Sequence, residues 1–139
     1  TGKTTSIHIR RGDYLKFADV HNNLDSNYYA AAISKTDSIT DKYLVFSDDM
    51  SWCYDNLLFV LGEYGTVSFA SDNSAPEDIF LMSQCSHNII ANSSFSYWGS
   101  YLNSNQNKIV IAPQKDQWYG SAYSSNSVED LYLPNWLLV

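Results

Sequence analysis

The 139-residue chain is 45% hydrophobic and 17% charged, with fifteen acidic and eight basic residues and a formal net charge of −7. This is the composition of a single globular domain with one ordinary core, and no apolar run approaches the ~20 residues that a membrane-spanning helix needs. So acidic a balance argues against nucleic acid or an anionic membrane as partner, because both are held through many distributed cationic contacts. Any anionic ligand must be gripped locally.

From Thr1 onward, the first periodic stretch is Ser6–Arg10, which alternates so that Ile7 and Ile9 share one face and His8 and Arg10 the other. A turn follows at Gly12. A strand that begins almost at the first residue is read as the opening of a domain cut from a longer chain, with any targeting signal outside it. Asp25–Ile33 is expected to be a helix, Tyr43–Phe46 a buried strand and Met50–Leu61 a second helix. In the latter, Met50, Cys53, Tyr54, Leu57, Leu58 and Leu61 fall on one apolar helical face. Thr66–Phe69 is a further short strand. Ser74–Glu77 has capping-box spacing with an early proline, so a helix should start there and carry Ile79–Met82.

His87–Ala91 and Lys108–Ala112 complete the strands. Between them a helix starting near Ser93–Ser94 is expected to turn Phe95, Trp98 and Leu102 inward. The stretch around Gly120–Ser127 reads as a loop before the closing LYLPNWLLV. Cys53 and Cys85 lie among apolar neighbours without metal-ligand spacing, and are read as core residues. Strands and helices alternating at this spacing predict parallel pairing, right-handed crossovers and a three-layer α/β domain, with ligands at the carboxyl ends of the strands.

Three polar clusters fall at those ends: RRGD after the first strand, SDD (Ser47–Asp49) after the second and NSSFS (Asn92–Ser96) after the fourth. Four of the eight Lys and Arg residues, Lys3, Arg10, Arg11 and Lys16, lie within the first sixteen positions. A guanidinium pair beside a glycine turn suits a phosphate or carboxylate, although ion pairing with Asp13 or Asp19 would also account for it. Small hydroxyls at Ser93 and Ser94 either cap a helix or, with the exposed amides there, hold an anion. One of Asp48 and Asp49 is explained as a cap for the helix at Met50; the other can accept hydrogen bonds from a ribose or purine. GKTT (Gly2–Thr5) is not the end of a P-loop, because a strand follows it where a helix is required. The Asn92-Ser93-Ser94 sequon sits at a strand–helix junction, which argues against its glycosylation. A phosphoacceptor receiver domain, suggested by Asp48-Asp49, would leave the arginines unexplained. An arginine fork, a helix N-terminus and a carboxylate acceptor at one sheet edge together suit a nucleoside diphosphate held without metal.

HIRRGDY (His8–Tyr14), FSDDMSWC (Phe46–Cys53), DIFLMSQCSHNIIANSSFSYWGSYLN (Asp78–Asn103), NKIVIAP (Asn107–Pro113) and LPNW, taken in order, closely resemble the α-1,2-fucosyltransferases of glycosyltransferase family 11. The basic motif alone is shared with other fucosyltransferases; its combination with FSDD and NSSFSYWG is more specific. Tyr97-Trp98 stands where the pattern usually has two tryptophans. The resemblance implies that residues 1–139 form the C-terminal, Rossmann-like donor-binding domain of a GT-B enzyme, without its N-terminal acceptor domain. It implies inverting transfer of fucose from GDP-fucose to the 2-hydroxyl of a terminal galactose in a glycan, with no metal or other cofactor. An isolated or degenerate GDP-sugar-binding module without transfer is the alternative.

Residue by residue, the resemblance carries Arg10 to the β-phosphate, with Arg11 in support and His8 near the nucleotide. Ser93, Ser94, Phe95 and Ser96 would line the diphosphate, and Asp48 or Asp49 would lie near the guanosine. Asp13 is the carboxylate nearest the arginines in sequence, and so the candidate base for the acceptor hydroxyl; the alternatives are that it orients Arg10 or Arg11 and that the base lies in the N-terminal half. Few cysteines suit a bacterial enzyme in the cytoplasm or peripheral at the inner membrane, with the Golgi lumen as the alternative for a eukaryotic homologue.

Overall fold

A computed structural model describes residues 2–139. Six parallel strands form one sheet in the order β3-β2-β1-β4-β5-β6. They are β1 (Thr4–Ile9), β2 (Lys42–Ser47), β3 (Thr66–Phe69), β4 (His87–Ile89), β5 (Val110–Ala112) and β6 (Leu137–Leu138). The helices are α1 (Ser26–Thr36), α2 (Met50–Asn56), α3 (Leu58–Tyr64), α4 (Ala75–Gln84) and α5 (Ser94–Tyr101). This is the doubly wound, Rossmann-like order, whose direction of winding reverses between β1 and β4. No described helix is long and apolar enough to cross a membrane.

The predicted strands and helices are present, with four differences. The helix expected over Met50–Leu61 is broken at Leu57, whose φ of −121° separates α2 from α3. Cys53, Leu57 and Leu61 are buried, while Tyr54 and Leu58 are exposed. A row at four-residue spacing advances about 40° around a helix at each step, and the break keeps this single row against the sheet. Trp98 of α5 and Leu102, the residue that follows the helix, face solvent rather than the core. The buried face is the small one, Ser96, Gly99 and Ser100. A Cβ added to Gly99 would stand 2.8 Å from Met82 Cβ, so glycine permits α5 to lie this close to α4. The fourth and fifth strands are shorter than expected, and Leu137–Leu138 adds a sixth.

The two faces of β1 meet different surroundings. Ile7 and Ile9 join Tyr29, Ile33, Val45, Leu57 and Leu61 in the main apolar core. Ser6 and His8 face the α4–α5 side, where Asn88 Nδ2 donates to Ser6 Oγ at 2.7 Å and to the Met82 carbonyl at 2.8 Å. Asn103 Nδ2 donates in turn to Asn88 Oδ1. These buried amides are satisfied, which is what their desolvation requires. The helix start anticipated from the capping box is seen, the Glu77 carboxylate accepting from Ser74 N and Oγ, and Asp25 proves to cap α1, its Oδ1 accepting from the backbone of Asn27 and Tyr28. Cys53 and Cys85 are buried free thiols.

Candidate functional site

Because β2, β1 and β4 are neighbours, the three polar clusters that follow them converge on one stretch of the carboxyl edge. Past Ile9 the twin arginines diverge. Arg10 Nη2 lies 2.8 Å from Asp13 Oδ1 and its Nε 3.5 Å from Asp48 Oδ2, and about a third of its side chain reaches solvent. Arg11 turns back into the fold: its Nε is 3.4 Å from Asp49 Oδ2, and its guanidinium carbon is 4.3 Å from the centre of the Trp52 ring. Asp49 also caps α2 through Trp52 N at 3.1 Å, so Arg11 and Asp49 lock the end of β1 to the start of α2. Asp48 Oδ1 accepts from Arg11 N at 2.9 Å. A Cβ on Gly12 would fall 2.5 Å from Asp48 Oδ2, so a side chain there would push the carboxylate from its present position.

A cleft of about 220 Å³ opens beside Arg10. His8, Ser47 and Asp48 line it from the strand ends, Phe46 and Ala75 form apolar wall, and Phe95 and Asp78 come from α5 and α4. The His8 ring packs 5.1 Å, centre to centre, from Phe95, and its Nδ1 is buried without a partner. Burial pushes its pKa down to about 4, outweighing the opposing pull of Asp48, so the imidazole is neutral at pH 7.

The NSSFS residues divide in the same way as the arginines. Ser93 Oγ accepts from Phe95 N, and Ser96 Oγ is buried against Ala91 and Ser93. Ser94 and Phe95 are left to present the first turn of α5 outward. Asn92 is 3% exposed, and its Nδ2 donates to the carbonyls of Asn22 at 2.7 Å and Trp118 at 2.9 Å. That burial removes the glycosylation reading. Tyr14 Oη donates to the Asn92 carbonyl at 3.0 Å, so the loop after β1 is pinned to the end of β4 across the switch point.

In the sequence Asp78 stands out only as the first residue of the family-like stretch Asp78–Asn103. Here it lines the cleft, accepts from Asn73 Nδ2 at 3.0 Å and has no cationic partner among the described residues. Its signal in the sequence was faint: an acidic residue one position after the capping box, indistinguishable from a group placed for the helix dipole. The cleft therefore gathers the Arg10 guanidinium, the apolar Phe46, Ala75 and Phe95, and the Asp78 carboxylate in one lining. Among the described residues, no group of three or more His, Cys, Asp or Glu side chains could hold a metal ion.

The family model for glycosyl transferase family 11 matches residues 1–139. The chain belongs to that family. Among its relatives, the O-antigen biosynthesis glycosyltransferase WbnK of Escherichia coli is 37% identical over 96% of this chain and 44% of its own length. An alpha-1,2-colitosyltransferase of Escherichia coli is 38% identical over 79% of this chain and 40% of its own. The galactoside 2-alpha-L-fucosyltransferase Sec1 of Mus musculus is 27% identical over 94% of this chain and 36% of its own. The chain spans less than half the length of each of these family 11 relatives.

Proposed function

We propose that this chain is the donor-binding, C-terminal half of a GT-B enzyme that transfers fucose from GDP-fucose, with inversion, to the 2-hydroxyl of a terminal galactose. The observation that carries this reading is that one cleft is lined by the Arg10 guanidinium, by apolar Phe46, Ala75 and Phe95, and by the Asp78 carboxylate, which has no cationic partner among the described residues. Guanine offers two parallel donors, N1–H and the 2-amino group, to which a carboxylate is complementary; uracil has no such pair. The diphosphate would then lie toward Arg10 and the backbone N–H of Ser94 at the start of α5, where a helix start favours an anion. Phe46, Ala75 and Phe95 would hold the base between them. Asp48 and Asp49, first assigned to the guanosine, are in this reading the anchors of Arg10 and Arg11.

In the transfer, the acceptor oxygen attacks C1 of the sugar while the bond from C1 to the β-phosphate oxygen breaks, and GDP leaves with the electron pair. Negative charge grows on that phosphate oxygen, where Arg10 stabilises it more strongly than in the ground state. Asp13, paired with Arg10 at 2.8 Å, takes the acceptor's proton in this scheme, which requires its carboxylate to reach the face of C1 opposite the breaking phosphate bond. Donor binding is metal-free in this scheme, the cationic role falling to Arg10.

The test is incubation of the enzyme with GDP-fucose and a β-galactoside in EDTA, followed by assignment of the product linkage by NMR. An α-1,2-linked product is expected, and Asp13→Asn should lower turnover while sparing GDP affinity. A full-length enzyme that binds GDP and yields no product would be a binding module. The 38% identity to a protein named as a colitosyltransferase favours a second reading of the sugar alone, with colitose replacing fucose. Parallel assays with the two GDP-sugars decide between them.

A further inference from the structure

A second cleft at the carboxyl edge, about 500 Å³, is more than twice the volume of the first. It lies between the loop that follows β1 and the loop that follows β5, and Asn22, Asn23, Asp25, Gln114, Asp116 and Gln117 supply its polar lining. Four primary amides and two carboxylates make a wall rich in acceptors, with amide donors and no lysine or arginine. The nearest cation in sequence, Lys115, is held by Glu129 at 2.6 Å. Such a wall repels phosphates, and Leu24, Tyr28 and Val139 add apolar surface on which the C–H face of a ligand can rest. It matches a ligand whose every hydroxyl both donates and accepts.

The polar groups are not all consumed by the fold. Asn23 Oδ1 is buried without a partner, an acceptor whose desolvation is uncompensated by the protein itself. Asp25 is occupied as the cap of α1, and Asn22 Nδ2 donates to Gln117 at 3.0 Å. Neither the Asp116 carboxylate nor the Gln114 amide makes a side-chain hydrogen bond, and both residues are exposed. Asn23 Nδ2 donates to the Tyr14 carbonyl at 3.1 Å, and Tyr14 belongs to the single 3-10 turn that also carries Asp13. One short turn therefore joins this cleft to the Arg10–Asp13 pair of the other.

We infer that this second cleft is a subsite for a neutral saccharide, the part of the acceptor glycan that this chain itself holds. The inference rests on the glycosyltransferase reading above and adds the place where the acceptor is recognised. Asp116 and Gln114 take sugar hydroxyls at the rim, and Asn23 Oδ1 accepts one deeper in. The turn that connects Asn23 to Asp13 sets the distance between the bound sugar and the reacting centre.

The experiment is saturation-transfer NMR of the protein with lactose, with GDP titrated separately by calorimetry on the same samples. Lactose signals are expected from the wild type, with affinity about tenfold weaker or more in Asp116→Ala and in Gln114→Ala, while GDP binding is unchanged in both. Both substitutions are at exposed positions, so loss of folding will not mimic the effect. Lactose signals that survive both substitutions, or no lactose signal from a protein that binds GDP, would overturn the subsite and leave the donor reading standing. Absence of GDP binding would count against the donor reading and, with it, the subsite.

Discussion

The guanidinium carbon of Arg11 stands 4.3 Å from the centre of the Trp52 ring, whereas its neighbour Arg10 lines the cleft. Adjacent residues of one type therefore differ in kind: Arg11 braces the β1–α2 junction and Arg10 faces the ligand. Arg11→Ala should lower stability by about 1–3 kcal/mol, from the stacked cation and its charged hydrogen bonds. Arg10→Ala should leave the urea midpoint close to that of the wild type. Urea titrations of the two variants check this, and equal losses would remove the distinction.

Asp78 is expected to read the base. Asp78→Asn replaces one carboxylate acceptor by a donor that faces guanine's own donors, and should weaken GDP binding about tenfold or more. Inosine diphosphate lacks the 2-amino group, so the preference for GDP over it should narrow in the variant. Calorimetric titration of both ligands measures the difference, and an unchanged preference would place the base elsewhere.

The pH dependence of stability follows from His8. Its pKa falls from 6.5 in the unfolded chain to about 4 in the folded protein because burial disfavours the charged ring. The unfolded state therefore binds the extra proton between those values, and stability drops as pH falls from about 6.5 toward 4, by about 3 kcal/mol in all. Above pH 7 this residue adds no slope. His87, also lowered by burial, acts in the same direction. Urea unfolding at pH 7, 6 and 5 should show a shallower decline in His8→Gln than in the wild type.

Gly99 sets the approach of α5 to α4. Gly99→Ala puts a Cβ 2.8 Å from Met82 Cβ and 3.0 Å from its sulfur, and α5 must move away. Overpacking of this kind costs about 1–3 kcal/mol. Since α5 carries Phe95 and the helix start beside the cleft, GDP affinity should fall together with the urea midpoint.

Much of this architecture was legible before any coordinates. The alternation through Ile7, His8, Ile9 and Arg10 and the capping box at Ser74–Glu77 report local backbone preferences, and they mark elements that the structure contains. What was not legible depended on partners distant in sequence. Trp98 and Leu102 look like core residues to any periodicity argument; the helix instead hides Ser96, Gly99 and Ser100 because Met82 leaves no room for more. Leu137–Leu138 is too short to be distinguished from a tail until β5 is there to pair with it. The clusters RRGD, SDD and NSSFS were visible individually. Which arginine faces outward, and that Asp78 joins them, depends on how β2, β1, β4 and α4 meet.

Calorimetric titration with GDP, GDP-fucose and UDP in EDTA, of the wild type and Arg10→Ala, tests the central claim of a guanine-nucleotide donor site most directly. The donor-site account predicts metal-free binding of both guanosine ligands, none of UDP, and loss of binding in the variant. A folded protein that ignores GDP, binds UDP equally well or retains its affinity without Arg10 would contradict it.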